Sequence, residues 1–460
     1  MTEPQRVTII GAGISGLACA YRLEQLEIPV TILESSDRPG GVIDTDQSGG
    51  FLFESGPQSF QGSDVLLTLV RELGLESELQ CADPRAPRFV VRNGRLSRIP
   101  MSPPAMLASS FLSATSRWKL ASEPLRRTFP PAEEETIANF VRRKFGSEIL
   151  EYLVAPLVSG VYAGDPEQLS LRAAFPSVEQ WEREHGSVVR GAIKSRPSAG
   201  KKTPKPALCS FRKGVAMLPR AIAAKLGNDL RIGVTGLALR RIGQCDSQLL
   251  ELEVTSHTGN ERNISAAVVI ATPAFTAAEL VRPLSPSLST FLLAIPYAPV
   301  AVVANAYKRQ QILDPLYGFG FLVPRKEQIR TLGTVWNSSL FPGRGPEGTV
   351  TMTSFIGGAT DLEIIHHSDE QISQIVQQDN ASLLGISGSP AASKIWKYPR
   401  ALPQYNLRHG YTVEAIREGE RALPGVFFTG NYLEGPALGK CVENGFHAAE
   451  AAAAYLRPNR

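Results

Sequence analysis

The sequence predicts an α/β protein with α+β character in a second domain. Two observations carry that expectation. A strand, glycine turn, helix and second strand follow one another in residues 6–35, and a strand, glycine turn and helix recur in residues 426–455. Between them stand clusters of β-branched and aromatic residues suited to a second sheet. At 460 residues the chain also exceeds the roughly 250–300 residues at which single cores stop growing, so at least two domains are expected.

The N-terminal unit, RVTIIGAGISGLACAYRLEQLEIPVTILESS, begins with an apolar strand run at Val7 and ends with a second one at Val30. Gly11 allows the tight turn, Gly13 lets backbone approach a pyrophosphate, and Gly16 lets helix and strand pack closely. Phosphates then lie at the helix N-terminus. Glu34 ends the second strand, where a carboxylate accepts from ribose hydroxyls and disfavours a 2′-phosphate, hence NADP. In the following SSDRPGGVIDT, Arg38 is expected to reach a phosphate, and Gly40 and Gly41 to bring bare backbone to a ligand. A second glycine pair so soon after the acid favours FAD over NAD.

Residues 51–60, FLFESGPQSF, alternate as a strand and then turn at Gly56 and Pro57, presenting amides to a flavin ring. Residues 66–75 have helical spacing. Residues 88–206 shift towards helix formers and read as a helical insertion. Its segment 103–120 is apolar with Arg117, Trp118 and Lys119 at one end, a pattern shared by interfacial and ordinary core helices. Residues 190–206 are basic, proline-containing and free of acids, and read as a mobile surface loop able to meet anionic lipid or simply solvent.

The sheet resumes with a helix within residues 211–226 and strands within 230–239 and 266–273. Residues 300–307, 319–323, 331–336 and 349–356 are expected to be strands of a substrate-binding sheet, whose apolar Phe319, Leu322 and Phe355 suit a large planar ligand. The closing VFFTGNYLEGPALGKCVENG repeats the strand–turn–helix pattern. Its helix start near Pro436 can aim a positive dipole end at the flavin's pyrimidine edge.

Composition narrows the function classes. The net charge of +4 is small for this length and gives no case for nucleic acid. Five cysteines, Cys19, Cys81, Cys209, Cys245 and Cys441, are widely spaced without a C-x-x-C pair, which argues against a disulfide framework and a zinc site and favours a reducing compartment. Cys441 is expected to be a small buried residue, not a covalent flavin anchor. His366, His367, His409 and His447 have no metal spacing, so no metal is expected. The first apolar run is broken by glycines and does not read as a signal peptide, and no run reaches the roughly 18 apolar residues of a spanning helix.

Together, GAGISGLA, ESSDRPGG, ESGPQSF, RFVVRNG, SGVYAGDP with SLRAAFP, GFGFLVP and TGNYLEGPALGKCVENG resemble the oxygen-dependent protoporphyrinogen oxidases of haem biosynthesis, over essentially the whole chain. The first and last motifs are shared with amine oxidases and phytoene desaturases. The resemblance implies a Rossmann-type FAD-binding domain (residues 1–63, 208–281 and 397–460), an amine-oxidase-like substrate domain (64–87 and 282–396) and a helical membrane-associated domain (88–207).

By position, the resemblance makes Arg88 the partner of a substrate propionate and places Gly160, Phe319, Leu322 and Phe355 around the tetrapyrrole. It assigns FAD contacts to Gly11, Gly13, Ile14, Ser15, Gly16, Glu34, Ser35, Arg38, Gly40, Gly41, Val42, Gly56, Pro57, Gln58 and Ser59. Leu237, Trp396, Gly430, Pro436, Ala437 and Leu438 complete that set. Relatives carry arginine or asparagine where Gln58 stands, so no catalytic role transfers to it. The implied chemistry is hydride removal from a porphyrinogen methylene bridge to flavin N5, with oxygen reoxidising the flavin to give hydrogen peroxide. No side chain stands out as a general base. Expected partners are the porphyrinogen, oxygen, a peripheral membrane surface, a second copy in a homodimer and ferrochelatase as recipient of product, in the cytoplasm or on the cytoplasmic membrane. Rival readings are coproporphyrinogen III oxidation, a flavin amine oxidase, for which TGNYLEG offers only Tyr432 of an aromatic pair, and a non-enzymatic lipid-escort protein, against which the intact glycine loop and Glu34 speak.

Overall fold

In a computed structural model of the chain, the structure describes residues 6–195, 207–242 and 249–457. Strand Val7–Ile10 is wholly buried, as its unbroken apolar run requires, and it lies at the centre of a five-stranded parallel sheet. The order across this sheet is Leu230–Ile232, Val30–Glu34, Val7–Ile10, Ala267–Ile270, Val426–Phe428. Helices Ile14–Gln25 and Leu438–Leu456 pack against each other on one face. Their approach depends on small residues: a Cβ on Gly445 would lie 2.4 Å from the Ser15 carbonyl oxygen. On the other side sits a three-stranded antiparallel meander, Thr235–Ile242, Leu249–Ser256 and Gly259–Ser265, sharing a core with helix Ala274–Val281.

The second large sheet has seven strands, in the order Ala392–Pro403, Tyr297–Lys308, Thr349–Gly357, Thr331–Val335, Gly320–Leu322, Arg88–Arg92, Arg95–Arg98. All neighbours are antiparallel except Gly320–Leu322 with Arg88–Arg92. Helix Asp369–Leu384 covers one face through Ile372 and Val376. A helical unit within residues 103–194 stands over the edge hairpin and has its own core around Phe140, Leu150, Val158 and Leu171, into which Val90 projects.

Several expectations are corrected. Residues 88–98 do not open the helical unit; they form a hairpin that completes the seven-stranded sheet. Helix Asp64–Glu72 belongs to the first core rather than to the substrate domain, because Leu66, Leu69 and Val70 are buried among residues of helices Ile14–Gln25 and Leu438–Leu456. Segment 103–120 is two helices, Pro103–Ala108 and Ala114–Ser122, each started by a serine cap, Ser102 and Ser113, whose hydroxyl accepts the N–H three residues on. The second cap is where the apolar run breaks. Residues 196–206 of the basic segment lie outside the described residues.

The cysteines are also corrected. Cys81 and Cys209 are joined in a disulfide across strands Leu79–Cys81 and Leu208–Phe211, which pair directly at that register. Their separation of 128 residues hides the pairing from any spacing rule. Cys19 and Cys441 are free and buried. No described helix is long and apolar enough to cross a membrane.

Candidate active site

The first strand–turn–helix builds a cradle with room where a diphosphate would lie. Gly11 has φ +102°, and a Cβ there would lie 2.9 Å from the Ala271 carbonyl oxygen, so the turn requires glycine. A Cβ on Gly16 would stand 2.0 Å from the Gly11 carbonyl oxygen, so this glycine is demanded by the protein's own packing. A Cβ on Gly13 would meet nothing within 4 Å, so no packing demand excludes a side chain there. The absence fits space kept for a ligand at the helix N-terminus.

The second turn closes on the first. Gly13 bridges to Gly40, and Gly40 N–H donates to the Ala12 carbonyl at 2.8 Å. Gly40 and Gly41 have φ +109° and +61°. Glu34 is buried at the strand end. Its Oε1 accepts from Ser36 N–H at 2.9 Å and Ser36 Oγ at 2.8 Å, and its Oε2 accepts from Ala12 N–H at 2.7 Å. With one donor, Oε2 keeps acceptor capacity for a ribose hydroxyl. Ile14 and Ser15 begin the helix above the turn, and Ser35 and Val42 are exposed beside it. Leu237 falls at a bulge in the meander between Gly236 and Ala238 and is left exposed at 41%.

Arg38 lies half-buried against the second turn. Its guanidinium donates to the carbonyls of Pro39, Ile43 and Gly41, the last at 2.9 Å, and pairs with Asp44 at 3.4 Å. It braces the Gly40–Gly41 turn.

Gly56 presses against the second turn: a Cβ there would lie 2.4 Å from the Val42 carbonyl oxygen. Ser59 and Pro57 are half-buried beside it. Gln58 is buried and its amide is fully engaged. Nε2 donates to the Gly56 carbonyl at 2.8 Å and the Glu54 carbonyl at 3.3 Å, while Oε1 accepts from Asn337 Nδ2 at 2.6 Å. Asn337 Oδ1 in turn accepts from Thr353 at 2.9 Å, tying the turn to the large sheet. Beneath it lies an ion pair that sequence reading did not find. Arg344 and Glu54 meet at 3.2 Å with both side chains almost wholly buried, and Arg344 also donates to Ser210 Oγ at 2.7 Å. Burial pushes the Glu54 carboxyl up, opposed by Thr45, Arg344 and the Val215 N–H.

At the far end, Gly430 (φ +150°) follows strand Val426–Phe428, and Ala437 caps the long helix begun by Leu438, with Pro436 just before it. Burial raises the Cys441 thiol to about 11, and it donates to the Gly435 carbonyl oxygen at 3.8 Å, so it rests as a buried, protonated thiol. His409, packed 4.6 Å from the Tyr405 ring, is held neutral by burial, with its pKa down to about 4.

The pairing of the large sheet sets out the other wall. Trp396 lies opposite Val302, Val302 opposite Phe355, Phe355 opposite Gly333, Gly333 opposite Leu322, and Leu322 opposite Val90. Directly opposed residues share a face, so one row runs from Trp396 to the helical unit. Gly160, on helix Ala155–Tyr162, sits on this row: a Cβ there would lie 2.7 Å from a Leu322 methyl. Arg88, two residues before Val90 and on the same face, stacks its guanidinium 5.3 Å from the Phe319 ring centroid. Its guanidinium has no carboxylate or hydrogen-bond partner among the described residues. Arg88, Phe319, Leu322, Phe355 and Trp396 are all only half-buried. The structure therefore brings the five together along one surface, an apolar wall with a free cation at its end.

A family model described as flavin containing amine oxidoreductase matches residues 14–454. The chain is 36% identical to a chloroplastic protoporphyrinogen oxidase of Nicotiana tabacum, over 97% of this chain and 85% of that one. It is 29% identical to a coproporphyrinogen III oxidase of Bacillus subtilis over 98% of both chains. A solved structure from Exiguobacterium sp. 255-15, which bears a protoporphyrinogen oxidase name, superposes with a TM-score of 0.82 at 25% identity, covering 98% of this chain and 99% of that one. The double glycine cradle and buried Glu34 fit the FAD of such proteins, and FAD is the cofactor. By these matches and this geometry the chain belongs to the flavin-containing amine oxidoreductases and, among them, to the protoporphyrinogen oxidase family.

Proposed function

We propose that the protein oxidises protoporphyrinogen IX to protoporphyrin IX, with oxygen as final acceptor and hydrogen peroxide as by-product. The observation that carries this reading is the unpaired Arg88 at the end of an apolar row that starts at Trp396. When bound, FAD supplies the hydride acceptor and passes electrons to oxygen. The chain's own residues position the substrate. Leu322 and Phe355 offer an apolar face to the macrocycle, Gly160 lets helix Ala155–Tyr162 pack directly on Leu322 and so fixes the end of that face, and Arg88 pairs with a propionate. Gln58, with its amide committed, holds the Gly56–Pro57 turn without titrating. The driving force of completing an aromatic macrocycle suits a site without a dedicated base.

Coproporphyrinogen III is the second reading, favoured by the relatives that carry that name. It needs two further carboxylates accommodated, whereas the row described above ends in a single unpaired cation, Arg88. Peripheral attachment to the cytoplasmic face of a membrane belongs to the same proposal. In the helical unit Trp118, Leu125 and Phe129 are exposed at 67%, 85% and 65%, with Arg117, Lys119, Arg126 and Arg127 close in sequence. Sedimentation with anionic vesicles, lost on Trp118→Glu with Phe129→Glu, is the expected result. Porphyrin fluorescence growth from the two porphyrinogens, with peroxide measured in parallel, tests the activity. Faster growth from coproporphyrinogen would move the assignment to the second reading, and growth from neither would remove both.

A further inference from the structure

Three short strands, Phe60–Gln61, Leu208–Phe211 and Leu79–Cys81, form a small sheet where the chain leaves for the helical unit and where it returns. Cys81 and Cys209 are direct partners in it, with Cα atoms 4.1 Å apart. The backbone bonds run on either side of them, from Ala82 N–H to the Leu208 carbonyl and from Arg212 N–H to the Glu78 carbonyl, both 2.8 Å. This is the non-hydrogen-bonded kind of antiparallel site, where facing side chains come closest. Cys81 is exposed and Cys209 is buried.

The position gives the pair its consequence. The crosslink encloses the Arg88 hairpin and the entire helical unit with Gly160. Cys209 also stands opposite Phe60, two residues after Gln58, and its neighbour Ser210 accepts from the buried Arg344. Among the described residues strand Leu79–Cys81 pairs with no other strand, so besides the crosslink a few backbone bonds hold the outgoing chain to the returning one.

We propose that Cys81 and Cys209 form a reversible thiol–disulfide site that clamps the neck of the helical unit and senses peroxide. The source of that peroxide rests on the activity proposed above; the chemistry of the pair does not. The accessible Cys81 thiolate attacks one oxygen of hydrogen peroxide, the O–O bond breaks, and Cys81 sulfenic acid forms while the departing hydroxide takes a proton to become water. The Cys209 thiol then attacks the Cys81 sulfur, the S–S bond forms, the S–O bond breaks, and a second water leaves. Two thiols lose two electrons and the peroxide gains them. A dithiol reverses the step by disulfide exchange through Cys81. In a reducing compartment the pair rests as thiols and closes as turnover accumulates peroxide. Closure fixes the base of the unit that sets Gly160 over Leu322 and leads into Arg88.

The test uses the full-length holoenzyme, reduced with dithiothreitol, desalted, and then treated with measured hydrogen peroxide, so that it does not depend on the protein's own turnover. Alkylation before and after peroxide, read by peptide mass spectrometry, is expected to label Cys81 and Cys209 only in the reduced state and to recover a linked peptide pair after peroxide. Oxidation is expected to raise the melting temperature by roughly 5 °C or more and to slow proteolysis of the helical unit. Cys81→Ser and Cys209→Ser are expected to behave as the reduced wild type with or without peroxide. Labelling of the two cysteines that ignores peroxide and dithiol would overturn the redox site. Labelling that responds while melting and proteolysis of the wild type stay unchanged would overturn the clamp. Failure of the porphyrinogen assay with these responses intact would remove the proposed activity and leave the site standing.

Discussion

Gly13 and Gly16 separate a residue kept for a ligand from one kept for the fold. Alanine at position 16 drives a methyl into the Gly11 carbonyl, an overpacking expected to cost about 1–3 kcal/mol whether or not FAD is present. A Cβ at position 13 meets no protein atom within 4 Å, so the Gly13→Asp apoprotein is expected to melt like the wild-type apoprotein while the purified protein is colourless. A yellow Gly13→Asp protein would contradict the placing of the pyrophosphate. Arg88→Ala removes a charge-assisted hydrogen bond of about 1.5–3 kcal/mol, so an increase in KM of about 10- to 100-fold with kcat little changed is expected in steady-state assays. Unchanged KM would take Arg88 out of the site. Arg344→Met leaves Glu54 buried without its cation and is expected to cost about 3–5 kcal/mol in denaturant unfolding. The glycines were legible in the sequence because their requirement is local steric geometry. Arg344 was not, since its partner is 290 residues away and neither residue type announces burial.

Two carboxylates give the helical unit a pH dependence of its own. Burial alone would push Glu148 up, but hydrogen bonds from Ser113, Ser116 and Arg92 outweigh it and hold the carboxyl at about 2. Glu182 is likewise held at about 2 against its burial by Arg143, Lys144 and Thr128. Carboxylates depressed in the fold from an ordinary 4.5 contribute stability that is whole above that pH and is lost as pH falls towards 2, at most about 3 kcal/mol each. Helical circular dichroism is therefore expected to fall within that window, and Glu182→Gln to weaken the unit already at neutral pH. A profile flat from pH 5 to 2 would contradict these pairings. At this scale the strands of the five-stranded sheet and four of the seven in the larger sheet were readable from β-branched and aromatic clusters, to within a few residues, whereas strand Ala392–Pro403 was missed and the expected boundary at residue 397 cuts through it. The break at Ser109–Ser113 was not, because the apolar run of residues 103–120 hides the Ser113 cap, and the edge hairpin was missed because Arg88 and Arg92 make its pattern look polar.

Across the whole molecule, the two sheets meet at the Gly56–Gln58 turn, which touches the glycine cradle through Val42 and the substrate wall through Asn337 and Thr353. FAD in that position binds the folded state alone, so its removal is expected to lower the melting temperature and its return to restore it in proportion to the logarithm of free FAD. The order of motifs along the chain showed that a nucleotide domain is interrupted by a second domain. Which residues cross between the units was not legible, since helix Asp64–Glu72 and the Cys81–Cys209 pairing depend on packing partners far along the sequence. The measurement that decides the account is the initial rate of porphyrin fluorescence under air, from protoporphyrinogen IX and from coproporphyrinogen III, on the yellow protein and on Arg88→Ala. A faster rate from protoporphyrinogen IX, with peroxide released and a raised KM in the variant, is the expected result. A rate from coproporphyrinogen III that is higher and indifferent to Arg88, or no porphyrin from either substrate, would contradict it.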